Sequence, residues 1–73
     1  MTSIEFERER NVINNRLGPK LHKIHRLANV GNSLAQKIIH IYERWMDSKD
    51  DGDLRQLQEV LTQFEQVERN NKL

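Results

Sequence analysis

Two histidines come nearest to a metal-site pattern in this sequence. His22 and His25 are three residues apart, so on a helix both imidazoles would face one ion. The stretch from residue 10 to residue 42 holds no carboxylate, and the sequence has no cysteine. The anionic ligands and supporting groups that metal sites favour are therefore missing. We interpret these histidines as surface residues and expect no bound metal.

Clustered aspartates form the second candidate for chemistry. Asp50, Asp51 and Asp53 surround Gly52, and carboxylate oxygens bind hard cations such as Ca²⁺. Their spacing does not match the twelve-residue calcium loop. An interhelical turn explains all four residues, with Asp51 or Asp53 capping the helix that follows.

Catalytic motifs are missing from the sequence. It has no cysteine nucleophile, no glycine-rich phosphate loop and no serine nucleophile elbow, and its carboxylates do not pair on a known catalytic frame. A chain of 73 residues can hardly enclose a substrate pocket. We therefore expect a non-enzymatic protein that uses no cofactor.

Composition indicates a single soluble domain spanning residues 1–73. Hydrophobic residues make up 36% of the chain and charged residues 32%, and no apolar run exceeds two residues. Such a sequence has no room for a membrane-spanning helix or the apolar segment of a signal peptide. We expect a cytoplasmic protein that does not contact membranes.

Turn-forming residues divide the chain into four helical segments. Breaks at Gly18-Pro19, at residues 29–32 and at residues 49–52 predict helices over 3–16, 19–29, 33–47 and 53–70. No segment alternates with the period of a strand. The predicted fold is all-α, a small bundle of three to four helices. The last two form a C-terminal antiparallel hairpin, and the first two pack across it.

Apolar positions indicate which helix faces are buried. In the first helix Phe6, Ile13 and Leu17 share one stripe, whereas Ile4 and Val12 fall elsewhere. In the third helix the apolar residues cover an arc of roughly 160°. That arc is wide for a helix with one neighbour, so we expect the third helix to be central.

The largest apolar group, Tyr42, Trp45 and Met46, has two interpretations. Aromatic residues at helical spacing usually belong to a core, and that is the simpler one. Tyr, Trp and Met are also favoured at the centres of protein interfaces, so these residues are candidate partner-binding anchors. A short chain without disulfides often gains stability by oligomerising, so we also expect a homodimer.

Positive charge is concentrated in the middle of the chain. Residues 10–42 contain six Lys and Arg and no acid. The candidate face for nucleic acid or an acidic partner comprises Arg16, Lys20, Lys23, Arg26, Lys37, His40 and Arg44. The alternative is a solvated face whose charges pair with acids of the first and last helices.

The second and third helices have about the lengths of a helix-turn-helix. Polar residues at the start of the third helix suit contact with base edges. They are Asn32, Ser33, Gln36, Lys37 and His40. The wide apolar arc of this helix and the lack of stacking aromatics argue against DNA binding. We therefore predict a regulator, inhibitor or assembly factor that binds a larger protein through a helical surface, with nucleic-acid binding as the alternative.

Overall fold

The computed structural model describes residues 2–70, which form four α-helices and one 3₁₀ turn. Helix α1 spans Ser3–Leu17, the 3₁₀ turn Gly18–Lys20, α2 Leu21–Asn29, α3 Ser33–Ser48 and α4 Asp51–Arg69. This part of the chain has no strand, so the all-α prediction is confirmed. The first helix is continuous despite its three asparagines.

Side-chain caps begin α1 and α3. The Thr2 hydroxyl accepts a hydrogen bond of 3.2 Å from the Glu5 amide. The Asn32 side chain accepts one of 2.9 Å from the Ala35 amide. Each cap satisfies a backbone N–H that has no partner inside its own helix.

The start of α4 differs from the prediction. Asp50 is the cap, rather than Asp51 or Asp53, and its carboxylate accepts from the amides of Gly52 and Asp53 at 3.0 and 3.3 Å. The helix therefore begins at residue 51 instead of 53. Asp51 and Asp53 lie in its first turn, where negative charge interacts favourably with the helix dipole.

The segment predicted as one helix over 19–29 is divided. Pro19 lies in the 3₁₀ turn, and α2 begins only at Leu21. Proline has no backbone N–H to continue the hydrogen-bond ladder of α1, so the chain tightens here before α2 starts.

Left-handed residues end α2 and α3. Gly31 has a φ of 92°, and the amides of Gly31 and Asn32 donate to the carbonyls of Ala28 and Leu27 at 3.1 and 2.9 Å. This pair of bonds is the Schellman motif. The end of α3 is similar, with Lys49 at a φ of 54°.

Helix α3 occupies the centre of the bundle, as its wide apolar arc predicts. It packs against α2 on one side and α4 on the other, and α3 and α4 form the antiparallel hairpin. Ile38 and Leu61 are fully buried. The core draws on all four helices and comprises Phe6, Ile13, Leu17, Ile24, Ala35, Ile38, Ile41, Trp45, Leu54, Leu57, Val60, Leu61 and Phe64.

Helix α1 covers the core between α3 and α4. The ring of Phe6 lies with its centroid 5.0 Å from that of Trp45. Further along α1, Asn14 accepts a 3.0 Å hydrogen bond from the Tyr42 hydroxyl. Ile4 and Val12, which lie off the predicted stripe, are exposed.

None of the helices within residues 2–70 combines the length and apolarity needed to cross a bilayer.

Candidate functional site: an apolar cleft between α2 and α3

A cleft of about 170 Å³ opens where the end of α1 meets α2 and α3. Its floor consists of buried core side chains, among them Leu17, Ile24 and Ile38. Leu21 lines one side and is 41% exposed, and the half-buried Tyr42 lines the other. The apolar floor can therefore be reached from solvent.

The local fold explains why this apolar surface stays open. Leu21 is the first residue of α2, immediately after the 3₁₀ turn that redirects the chain. Helix α2 has only nine residues, too few to cover both its own stripe and the adjoining flank of α3. Ile39 and Tyr42, on that flank, are consequently only half-buried.

The size of the cleft suits one bulky apolar group. A dry apolar cavity of about 150 Å³ in another protein binds benzene. The floor and walls here are aliphatic apart from Tyr42, and the Tyr42 hydroxyl already donates to Asn14. The cleft can therefore bind a ligand through apolar contact and exclusion of water, and not through reactive groups.

Charged and titratable groups lie on the two rims of the cleft. His25 stands on the α2 rim and Glu43 on the α3 rim, and both are exposed. Asp47 follows Glu43 by four residues and so lies on the same side of α3. Neither carboxylate forms an ion pair with another residue in the range 2–70. The α3 rim is therefore negatively charged.

The three predicted anchor residues occupy different environments. Trp45 has no exposed surface, and its indole N–H has no hydrogen-bond partner among the described residues. Tyr42 and Met46 are half-buried, and Tyr42 lines the cleft. A side chain enclosed on all sides cannot contact a partner in this conformation. The anchor hypothesis therefore narrows to Tyr42 and Met46, while Trp45 packs in the core.

Three of the predicted basic-face residues pair with acids in the last turns of α4. Arg16 lies 2.8 Å from Glu65, and Lys20 lies 3.3 Å from Glu65 and 3.1 Å from Glu68. Lys23 lies 3.0 Å from Glu68. We call these five residues the ionic seam. It joins α1, the 3₁₀ turn and α2 to the last turns of α4.

The seam shifts the titration of both its acids. A hydrogen bond from Arg16 is the main cause that lowers the pKa of Glu65, with Lys20 adding to it against an opposing effect of burial. For Glu68 the largest single effect is burial, which raises its pKa. Hydrogen bonds from Lys23 and Lys20 together outweigh burial and lower the pKa. Both pKa values therefore lie below that of a free carboxyl group.

The remaining four residues of the predicted basic face are more exposed. Arg44 pairs with Asp53 at 2.9 Å across the α3–α4 hairpin. Arg26, Lys37 and His40 are exposed and form no ion pair within residues 2–70. Within the predicted basic face, the Lys and Arg side chains that form no ion pair in the described range are thus Arg26 and Lys37, on α2 and α3.

Sequence reasoning missed the cleft. Leu17, Leu21 and Ile24 recur at helical spacing, a pattern that by itself predicts a buried stripe. The signal that pointed the other way was the break at Gly18-Pro19, which separates Leu17 from Leu21 and shortens α2.

The described residues contain no group of three or more His, Asp or Glu close enough to hold a metal ion. The chain matches no protein-family model, no curated protein and no solved structure at a significant level. The functional argument therefore rests on the geometry above.

Proposed function

We propose that this chain is a small non-enzymatic interaction protein, a regulator, inhibitor or assembly factor that binds a larger protein through the cleft between α2 and α3. The observation that carries the proposal is the open apolar cleft beside Leu21. A helix of the partner inserts one branched or aromatic side chain between Leu21 and Tyr42. A basic residue of that helix faces Glu43.

The energetics favour a single-anchor contact. Burying one large apolar side chain contributes about 1.5–3 kcal/mol, and interface energy is concentrated in a few such residues seated in pockets. The carboxylates of Glu43 and Asp47 lie beside the cleft without an intramolecular ion pair in the described range. Rim charges of this kind contribute more to partner choice and association rate than to affinity.

The ionic seam weakens the case for nucleic acid as the ligand. Arg16, Lys20 and Lys23 are already engaged by carboxylates of the same chain. A phosphate would have to displace Glu65 or Glu68 to reach them. Arg26 and Lys37 alone form a small electrostatic footprint for a duplex.

A comparative pull-down from the source cell tests the proposal. Immobilised wild-type protein is compared with Leu21→Glu, which places a charge in the cleft, and with Val30→Glu as the matched control. Val30 is 77% exposed in the α2–α3 turn and does not line the cleft. We expect a protein retained by wild type and Val30→Glu, lost with Leu21→Glu and unaffected by nuclease.

Other patterns of retention would count against the cleft. Equal retention by wild type and Leu21→Glu would show that the partner docks elsewhere. Loss on nuclease treatment would favour the nucleic-acid alternative. Circular dichroism of Leu21→Glu separates a blocked cleft from an unfolded domain.

A small aromatic probe tests the cleft without a partner. In an NMR titration with indole, the methyl resonances of Leu21 and Ile39 should shift. Those of Val60, which is buried and does not line the cleft, should not. Absence of any shift at Leu21 and Ile39 would show that the cleft does not accept an aromatic ring.

A further inference from the structure

The outer face of α1 carries an apolar stripe that the monomer leaves uncovered. Ile4, Arg8 and Val12 recur at every fourth residue and therefore share one side of the helix. Ile4 is 71% exposed and Val12 is 47% exposed, and Arg8 between them is also exposed. We call these three residues the α1 stripe. Among the described residues, the other large apolar side chains that are exposed are Leu21 in the cleft and Val30 in the α2–α3 turn.

The charges beside the stripe complement those beside the cleft. Arg8 is basic and lies between the two apolar residues, whereas the α3 rim of the cleft carries Glu43, and Asp47 follows one turn further along α3. Glu5, three residues before Arg8, is acidic, and the opposite rim carries His25, whose imidazole N–H can donate a hydrogen bond to a carboxylate. No ion pair within residues 2–70 involves any of these five side chains.

We infer that the cleft of one copy receives the α1 stripe of a second copy, giving a reciprocal homodimer. The inference rests on the proposed function, since it assigns an occupant to the same cleft. Val12 or Ile4 fills the space beside Leu21, and Arg8 faces Glu43. Self-association therefore covers the cleft until a partner competes for it.

The placement of the two surfaces requires a second copy. The stripe lies on the outer side of α1, and the cleft opens beside α2 and α3, so no copy can fill its own cleft with its own stripe. A two-fold axis gives each dimer two identical stripe-to-cleft contacts and closes the assembly. Two contacts of this kind, each burying one or two apolar side chains, suit a dimer of micromolar affinity.

Sedimentation equilibrium of single variants gives the first test. At about 100 µM the wild type should have twice the 8.7 kDa mass of one chain. Val12→Glu, in the stripe, and Leu21→Glu, in the cleft, should each weaken association at least tenfold. Val30→Glu should associate like wild type. A monomeric wild type, or equal loss with Val30→Glu, would overturn the inference.

Mixing the two weakened variants gives the decisive test. Val12→Glu keeps an intact cleft, and Leu21→Glu keeps an intact stripe, so a mixed dimer retains one of the two wild-type contacts. The mixture should therefore associate more tightly than either variant alone. A mixture as monomeric as its components would show that Val12 and Leu21 do not meet across a reciprocal interface.

A charge exchange provides a test on exposed residues whose substitution leaves the core intact. Arg8→Glu and Glu43→Arg should each weaken the dimer, and the doubly substituted chain should recover part of the loss. Weakening without recovery would contradict the pairing of Arg8 with Glu43.

Failure of this inference is distinguishable from failure of the proposed function. Val12→Glu leaves the cleft intact and should retain the cellular partner at least as well as wild type. A monomeric wild type whose capture of the partner still depends on Leu21 would contradict the homodimer alone. A dimer that forms while no cellular protein is captured through the cleft would contradict the proposed function alone.

Discussion

Arg16 on α1 and Glu65 on α4 are 49 residues apart in the chain but are joined by two hydrogen bonds. The Arg16 guanidinium donates from Nη2 to Glu65 Oε1 at 2.8 Å and from Nε to Oε2 at 3.5 Å. Two-pronged contacts between arginine and a carboxylate fix orientation as well as distance. This contact fixes the end of α1 against α4 and so positions one edge of the cleft.

Acid should weaken the ionic seam. The native pKa values of Glu65 and Glu68 lie below the ordinary value of 4.5, so the seam contributes its full stability above that pH and loses it as pH falls further. Replacing both by Gln should cost about 1 kcal/mol at about pH 7, because partly exposed ion pairs contribute little each. Urea denaturation across pH measures this cost.

The difference between wild type and this double Gln variant should shrink as pH falls below 4.5, the ordinary carboxyl value. Glu59→Gln is the control on the same helix, because Glu59 is exposed and forms no ion pair within residues 2–70. A difference that stays constant with pH would mean that the seam does not stabilise the native state. High salt should also reduce the difference in stability between wild type and the double Gln variant, because salt screens the ion pairs of the seam.

Local signals accounted for most of the helices. Thr2 and Asn32 cap because their hydroxyl or amide oxygen reaches an amide three residues ahead, a contact that depends only on nearby sequence. Gly31 ends α2 for an equally local reason. The cap of α4 was predicted wrongly because Asp50, Asp51 and Asp53 all have a side chain that can cap a helix. Only the backbone path after Lys49 selects Asp50 among them.

The pairing of the basic residues lay beyond sequence reasoning. Lys20 and Glu68 are 48 positions apart, and their contact depends on how α4 runs past the 3₁₀ turn. Helical periodicity identifies the face of each helix but not the neighbour it meets. For the same reason, helical spacing places Leu21 on the apolar stripe of α2 but does not reveal that no neighbouring helix covers it completely.

Core truncation at the centre of the bundle should be severe. Ile38 and Leu61 are fully buried on facing helices, so replacing either with Ala should cost about 2–5 kcal/mol. A domain of this size has about that much stability in total, and the Ala variants can unfold outright. Ile38→Val, with an expected loss of about 0.5–1.5 kcal/mol, keeps the measurement quantitative.

Chemical denaturation of these variants checks the assignment of helix faces. Val30→Ala is the exposed control and should change the free energy of unfolding by less than about 0.5 kcal/mol. Wild-type midpoints for both Ile38→Ala and Leu61→Ala would show that the two side chains are not enclosed.

The left-handed ends of α2 and α3 should both be destabilised by a Cβ atom. Gly31→Ala should destabilise the protein by about 1–2 kcal/mol, because an L side chain rarely adopts a φ of 92°. The Lys49→Gly variant should be more stable than the Lys49→Ala variant by about 1 kcal/mol. Comparing those two variants cancels the loss of the Lys49 ammonium, which lies 5.2 Å from the Phe6 ring centroid.

Thermal or urea unfolding gives both comparisons at the helix ends. Ala tolerated at residue 31 without loss would indicate that the turn after α2 adopts another backbone conformation. Equal stability of Lys49→Gly and Lys49→Ala would likewise indicate that the backbone at the end of α3 is not left-handed.

Nucleic-acid binding should be weak and insensitive to sequence. Arg26 and Lys37 are the exposed Lys or Arg of α2 and α3 that lack an ion pair within residues 2–70. Two phosphate contacts give a shallow dependence of affinity on salt, with a slope near two on logarithmic axes. Fluorescence anisotropy with a labelled duplex at two salt concentrations measures both affinity and slope.

Paired variants separate the two surfaces in that experiment. Replacing Arg26 and Lys37 by Ala should abolish the weak binding, whereas Leu21→Glu, in the cleft, should change it little. Submicromolar affinity at about 150 mM salt, lost with the Arg26 and Lys37 substitutions, would identify nucleic acid as the ligand. Binding lost only when Lys20 and Lys23 are replaced would mean that phosphate displaces Glu65 and Glu68 from the ionic seam. The pKa of Glu68 would then rise toward 4.5, because its carboxylate would lose Lys20 and Lys23, the cations that lower its pKa.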